Sequence, residues 1–344
     1  MLKFTPAISL LALATISSAS IAAGWQALPE TAPAPANNPT TAEKVELGKI
    51  LYFDPRLSST GTVSCNSCHN VMLGGEDNRA LSMGVHGQLG GRSAPTVWNS
   101  AFNSVQFWDG RADSLEAQAA GPVTAGVEMG MKNWDDVVAR LETIPGYAIA
   151  FKSAFGEKAI ISKENATKAI AAYERTLITP NSPYDRYVKG EKAAMNNQQI
   201  RGMNSFSQTG CTSCHSGAAF NGPTMPAGSG FYVNFPTFTD SPYVAQYDLL
   251  KDKGRGEVTQ NSADDHKYKI PVLRNIALTA PYFHNGSVKT LDEAVRVMAK
   301  VQLNKTLSND EVADIVAFLN ALTGEFPQQT LPRLPASSGQ TLTP

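Results

Sequence analysis

The chain has 344 residues, and its 29 basic and 30 acidic side chains give a net charge of −1. Such a balance gives no support for a nucleic-acid partner or for adsorption to an anionic membrane. The length is sufficient for two domains. Apart from a short apolar run near the N-terminus, no stretch suggests a membrane span.

Residues 1–23 have the pattern of a secretory signal peptide, with Lys3, an apolar run over Ile8–Ile16 and a small-residue cleavage site at Ser20-Ile21-Ala22. The apolar run is too short to cross a bilayer. Residues 24–39 are rich in Pro and Ala, and this composition predicts an extended leader with no core of its own.

The first domain is expected to begin after this leader. Thr40 and Glu43 predict a capping box for a short helix that ends before Asp54-Pro55. A polar loop then leads to Cys65-Asn66-Ser67-Cys68-His69. Two cysteines at this spacing, followed directly by histidine, are typical of haem c, in which both thiols bond to the haem and the histidine binds iron.

A glycine-rich stretch without a sustained period follows over residues 70–95 and predicts a loop. Long loops inside a compact domain are usually functional. His86 lies in this loop, 17 residues after His69. The spacing alone leaves open whether His86 is a second ligand of the same iron or an ordinary loop histidine.

Three further helices are predicted before the end of the first domain. They cover residues 114–120, 133–154 and 162–178, where apolar positions recur three and four apart. The stretch Pro180-Asn181-Ser182-Pro183 then predicts a boundary, so we place the N-terminal domain at residues 40–180.

A second unit, placed at residues 181–326, repeats the order of the first. A helix with Ile200, Met203 and Phe206 on one side leads to Cys211-Thr212-Ser213-Cys214-His215, which uses the two remaining cysteines of the chain. This unit therefore carries a second haem c motif.

The rest of the second unit begins with a loop-rich stretch over residues 216–269. Thr290-x-x-Glu293 and Ser308-x-x-Glu311 then predict capping boxes for the last two helices. The final helix is expected to pack across the haem. Residues 327–344 predict a tail rich in Pro and Ser.

Three other uses of the cysteines fit less well. A zinc ribbon needs its two pairs roughly 15–20 residues apart, a disulfide framework does not require histidine after each pair, and a redox dithiol needs a βαβ context that is missing here. The sequence therefore predicts two covalent haems c in a mainly α fold, with two cytochrome c-like domains, long loops and little β structure. Export and haem c together favour the periplasm of a Gram-negative bacterium.

The remaining candidate ligands are ambiguous when taken alone. His266 lies in a charged stretch with Asp264, Asp265 and Lys267, which favours a solvated histidine. Met298 lies in a predicted helix among valines, where a core methionine is the commoner interpretation.

Several specific motifs resemble the bacterial di-haem cytochrome c peroxidases over residues 41–325. The spacing also matches, with ten-residue steps from Trp108 to Gln118 to Glu128 and a fourteen-residue step from His284 to Met298. The matching stretches are Ala94-Pro95-Thr96-Val97, Gln106-Phe107-Trp108-Asp109-Gly110-Arg111, Gln118, Gly121-Pro122, Val127-Glu128-Met129 and Pro281-Tyr282-Phe283-His284-Asn285-Gly286-Ser287.

The resemblance implies a role for each haem. The haem on His69 would be the low-potential peroxidatic centre, with His86 as its removable sixth ligand. The haem on His215 would have Met298 as its other ligand, and a thioether raises the potential. Electrons would enter near His284, on the exposed side of this second haem.

The resemblance also implies roles for three residues near the peroxidatic haem. Trp108 would be an electron bridge between the haems. Glu128 would be the acid/base that moves a proton between the peroxide oxygens, and Gln118 would orient the substrate.

Members of the family also bind calcium between the domains, through carbonyls that match Thr279 and Pro281 and through an Asn side chain. Ser93 stands at the Asn position here. A hydroxyl or a water can still complete an oxygen shell for Ca²⁺. The resemblance further implies a homodimer, fed by a small cytochrome c or a copper protein.

Hydrogen peroxide reduction is therefore the expected activity, and two alternatives compete with it. A di-haem oxidase that modifies a partner protein is disfavoured by Met298, because the best known of these enzymes has Tyr there. A non-enzymatic electron carrier is disfavoured by Glu128 and Gln118, because a carrier has no use for an acid/base beside its haem.

Overall fold

The computed structural model describes residues 24–337 and residue 339. The predicted signal peptide lies outside the described residues. The described chain is mostly helical, as predicted, with long loops and one small antiparallel sheet of β1 (Tyr232–Asn234) and β2 (Lys267–Lys269). None of its helices is long and apolar enough to cross a membrane.

The helices of the first half surround one apolar cluster that runs from Leu47 to Leu177. The first and last of these helices touch where Gly48 meets the backbone of Ala169. A Cβ added at Gly48 would lie 1.8 Å from the Ala169 carbonyl oxygen. Only glycine permits this approach. The helices are α1 (Ala42–Phe53), α2 (Cys65–Cys68), α3 (Leu115–Thr124), α4 (Trp134–Glu142), α5 (Pro145–Phe155) and α6 (Lys163–Glu174).

The second half repeats this arrangement around a cluster that begins at Tyr184. Gly202 of the helix before the second haem motif meets the backbone of Asp314 in the last helix, again with 1.8 Å from an added Cβ to the carbonyl oxygen. The helices are α7 (Pro183–Val188), α8 (Asn197–Thr209), α9 (Pro242–Gln246), α10 (Gly256–Thr259), α11 (Leu291–Leu303) and α12 (Asn309–Asn320).

Some predicted helix boundaries were wrong. The helix predicted over residues 133–154 is two helices, because α4 ends at Glu142 and Pro145 begins α5. The helix predicted to end at residue 178 ends at Glu174, and the one predicted to end at residue 120 continues to Thr124.

Two of the three predicted capping boxes were also wrong. Thr41, rather than Thr40, caps α1 by accepting from the Lys44 amide. Thr290 precedes α11 but accepts no capping hydrogen bond. Ser308 and Glu311 form the predicted box at α12.

The leader and the tail each pack on the far half of the chain. Trp25 lies 5.9 Å from Phe318, measured between ring centroids, and the Leu28 amide donates to Asp185 in the second half. In the tail, Phe326 packs 4.8 Å from Trp98 of the first half. The leader has no core of its own, but it completes that of the second half.

Candidate active site

A cavity of about 480 Å³ in the first half is lined by Cys65, Cys68 and His69. The short helix α2 brings both free thiols to the same wall, and His69 follows it directly. The His69 Nδ1 lies 2.9 Å from the Pro95 carbonyl oxygen. With a proton on Nδ1 donated to that carbonyl, Nε2 keeps its lone pair for a metal. Burial lowers the pKa of His69, which favours the neutral form that a ligand must have.

The second half contains a matching cavity of about 420 Å³, lined by Cys211, Cys214 and His215. The His215 Nδ1 lies 3.1 Å from the Phe220 carbonyl oxygen, and burial lowers the pKa of this histidine to about 4. Met298 lines the same cavity from α11. Among the residues that the structure describes, it is the only methionine on this lining. The donors in both cavities suit covalently held haem.

Trp108 lines both cavities and stands in the wall between them. Its indole Nε1 donates to the Ser93 carbonyl at 2.9 Å, which fixes the ring. The ring centroid lies 6.4 Å from that of His284.

Gln118 and Glu128 both line the first cavity, Gln118 from α3 and Glu128 from the loop after it. Burial raises the pKa of the Glu128 carboxyl, and the nearby Arg111 partly offsets this effect. Glu128, Arg111, Phe107 and Pro122 also line a recess on the outer surface. Glu128 can therefore exchange protons with solvent on one side and face a bound molecule on the other.

Comparisons with known proteins agree with this geometry. A model of the di-haem cytochrome c peroxidase family matches residues 42–193, and a model of RoxA-like, cytochrome c-like proteins matches residues 267–302. A cytochrome c551 peroxidase of Nitrosomonas europaea is 43% identical over 99% of this chain and 98% of its own length. This chain belongs to the di-haem cytochrome c peroxidase family. It is thus an enzyme of the cytochrome c peroxidase type that carries two haems c.

Two further relatives cover most of the enzyme. A cytochrome c551 peroxidase of Pseudomonas aeruginosa is 43% identical over 93% of this chain and 90% of its own. The crystal structure of a MauG-like protein associated with microbial copper homeostasis has a TM-score of 0.75 and 30% identity, over 87% of this chain and 95% of that one. The predicted fold class is confirmed.

The structure does not bring His86 to the cavity of this peroxidase. His86 is exposed, in a short turn over Val85–Gly87, and it is not among the residues that line the haem cavity. The loop is nevertheless tied to the site, because the Val85 amide donates to the Glu128 carbonyl at 2.8 Å.

His284 is buried in this peroxidase, with 2% of its surface exposed, whereas we expected it on the exposed side of the second haem. Its ring stacks on Tyr268 at 4.5 Å between centroids, and its Nε2 has no hydrogen-bond partner. Burial lowers the pKa of His284 to about 4. The ring therefore lies in the aromatic interior beside Trp108.

The three residues predicted to hold calcium lie on the lining of one cavity. Ser93, Thr279 and Pro281 all line the second haem cavity, and Ser93 also lines the first. The Ser93 amide donates to the His284 carbonyl at 2.7 Å, and the Ser93 hydroxyl donates to the Arg79 carbonyl at 3.4 Å.

Sequence reasoning missed Arg92, which lines the first haem cavity and joins it to the second half. Its guanidinium pairs with Asp109, with Asp252 at 2.5 Å and with Glu257 at 3.3 Å. Asp252 and Glu257 are at least 160 residues away in the sequence, so no local pattern indicates this cluster.

Proposed function

We propose that the enzyme reduces hydrogen peroxide to water in the periplasm, using electrons from a small cytochrome c or a copper protein. Electrons enter at the C-terminal haem and pass to the N-terminal haem. The observation that carries this proposal is the contrast between the two cavities. The N-terminal cavity is lined by the carboxyl of Glu128 and the amide of Gln118, and the C-terminal cavity is lined by the thioether of Met298.

Peroxide reduction consumes two electrons and two protons, and the two haems supply the electrons when bound. The protein must move a proton from one peroxide oxygen to the other as the bond between them breaks. Glu128 takes the proton from the first oxygen and returns it to the leaving oxygen. Burial raises the pKa of this carboxyl, which makes it a better proton acceptor than an exposed glutamate. Gln118 holds the substrate in line through its amide.

In the C-terminal cavity, His215 and Met298 are the residues that would hold the iron of a bound haem. A thioether ligand raises the reduction potential, so this haem accepts an electron readily. Trp108, in the wall between the cavities, carries electrons onward to the haem on His69.

The family resemblance also favours a homodimer.

Peroxide turnover with a reduced small cytochrome c tests the proposal directly. Rapid oxidation of the cytochrome on addition of peroxide is the expected result. A di-haem electron carrier would give no turnover. An oxidase that modifies a partner protein would take its electrons from that partner, so the cytochrome would stay reduced.

His86→Ala is expected to give an enzyme that binds peroxide even when fully oxidised. We propose that His86 occupies the sixth coordination position of the iron on His69 in the resting enzyme. It would leave this position when the C-terminal haem is reduced. Gly84 and Gly87 provide backbone freedom for such a swing, and His86 already stands outside the cavity here. Cyanide binding to the oxidised protein measures whether the iron on His69 has a free coordination position.

Gln88→Ala is the matched control, because Gln88 is also exposed in this loop. It should leave the oxidised enzyme closed. If His86→Ala still needs reduction before it binds cyanide, or if the oxidised wild type is already five-coordinate, then His86 is not the gate.

Calcium removal is expected to weaken the coupling between the haems. We propose that Ca²⁺ binds the carbonyls of Thr279 and Pro281, with Ser93 completing the shell directly or through water. The Ser93 carbonyl also accepts a hydrogen bond from the Trp108 indole. Loss of the ion would therefore make the position of the Trp108 ring less fixed. Treatment with a chelator, followed by metal analysis and by turnover with and without added Ca²⁺, measures this. Full activity in metal-free protein would reject a functional calcium site.

A further inference from the structure

The lining of the C-terminal haem cavity carries one charged side chain in the described part of the chain, that of Lys269. His215 and His284 lie on the same lining, but burial lowers the pKa of each to about 4, so both rings are neutral near pH 7. Burial raises the pKa values of Tyr268 and Tyr282, so these phenols are neutral as well. Lys269 is therefore a lone cation on a lining that is otherwise mostly apolar.

The contacts of Lys269 leave its charge without a partner in the protein. Lys269 is the last residue of β2, and its amide donates to the Trp108 carbonyl at 2.9 Å. Its Nζ donates to the Ile270 carbonyl at 3.2 Å, which leaves two of the three ammonium N–H groups for another acceptor. Burial lowers the pKa of Lys269 to about 8, and across the described ranges no carboxylate offsets this effect. A cation in this position is stabilised by an anion bound beside it.

The N-terminal haem cavity has the opposite charge. Both arginines on its lining are already paired with carboxylates, Arg111 with Asp109 at 2.8 Å and Arg92 with Asp252 at 2.5 Å. Four acidic side chains share this lining, namely Asp109, Glu128, Glu174 and Glu257. Burial raises the pKa of Glu174 to about 8, but even with this carboxyl protonated the acidic groups outnumber the arginines. A haem in this cavity has acidic surroundings, whereas a haem in the other has a basic group beside it.

We propose that Lys269 binds a propionate of the C-terminal haem and raises the reduction potential of that haem. The propionates are the anionic groups of a haem, and Lys269 supplies the cation on this lining. Ferrous haem carries one positive charge fewer than ferric haem, so a nearby cation stabilises the reduced form. This effect adds to that of the Met298 thioether. The inference rests on the proposed function, in which this haem accepts the electron.

The acidic lining of the N-terminal cavity acts in the opposite direction, because negative charges stabilise the ferric form. The two linings therefore separate the potentials of the haems independently of the axial ligands. Lys269 is a positioning residue for the C-terminal haem in this scheme, since it contacts the edge of the haem and leaves the iron to His215 and Met298.

Lys269→Gln is expected to lower the potential of the C-terminal haem. The loss of one charge at close range should reduce the equilibrium constant for reduction by roughly tenfold or more. The methionine-to-iron charge-transfer band should stay, because the ligands are unchanged, and the N-terminal haem should keep its potential. Redox titration of the two haems measures both values.

Two further variants show whether the charge and its place are responsible. Lys269→Arg keeps the cation and should stay near the wild-type potential. Lys267→Gln is the matched control, because Lys267 belongs to the same strand but pairs with Asp264 at 3.0 Å and is not among the residues that line the haem cavity. It should titrate as the wild type does.

A folded Lys269→Gln protein with the wild-type potential would overturn the proposal. If that variant does not fold, Lys269→Leu must show the same loss. The wild type provides a test that needs no variant, since the propionate bending mode of its C-terminal haem in the resonance Raman spectrum should shift in deuterated water. A mode that does not shift would reject a propionate bound by an ammonium group.

Failure of the proposed function is seen separately. A wild type that does not turn over peroxide with a reduced cytochrome c would reject that function. The potentials of Lys269→Gln and Lys267→Gln would still decide whether Lys269 acts on the C-terminal haem.

Discussion

Glu128→Gln is expected to lower peroxide turnover by roughly two orders of magnitude or more, the usual range for loss of general acid–base catalysis. The amide keeps the size of the side chain but cannot take a proton from one peroxide oxygen and return it to the other. Glu128 is the residue that lines both the haem cavity and the outer recess with a carboxyl of raised pKa. Both haem spectra should stay unchanged.

Asp113→Asn is the matched control. Asp113 is exposed and lines the outer recess, but it is not among the residues that line the haem cavity. This variant removes the same charge from the same recess and should turn over at the wild-type rate. A Glu128→Gln enzyme within a few-fold of wild type would remove Glu128 from the mechanism.

The pH profile gives a second test of Glu128. The carboxylate form is needed to take the first proton, so kcat/KM should fall as the pH drops through the pKa of Glu128. Because burial raises that pKa, the fall should occur at a higher pH than an ordinary glutamate would give. The same limb should be missing in Glu128→Gln.

The sequence predicted those parts of the site whose chemistry is local. Each haem motif needs only five neighbouring residues. The roles of Trp108 as a bridge and of Glu128 as an acid/base come from the family resemblance and stay predictions, and both side chains line the first cavity. The position of His284 was not predictable in the same way. Tyr268 of β2 stacks on the His284 ring and helps to bury it, and no sequence pattern links the two residues.

The remaining differences also arise from contacts between distant residues. Arg92 gains its role from partners in the second half of the chain. The leader looks structureless by composition, yet Trp25 packs among aromatic rings of the C-terminal core. Such contacts depend on the completed fold, because neither partner has a local pattern that selects the other.

Met298→Leu is expected to lower the potential of the C-terminal haem and to abolish turnover with a reduced cytochrome c. Leucine fills a similar volume but offers the iron no sulfur, and a thioether is what raises the potential of a haem held by histidine. Redox titration of the two haems, followed at their separate absorption bands, measures the shift.

Met203→Leu is the control for this variant, because it removes another thioether from the same half of the chain. Met203 is buried in the core around Phe318 and is not among the residues lining the haem cavity. Its replacement should leave the high potential intact. The N-terminal haem should keep its own potential in both variants, since its ligands are unchanged. An unaltered high-potential titration in Met298→Leu would show that another group holds the iron, and the assignment of the electron-accepting haem would then fail with it.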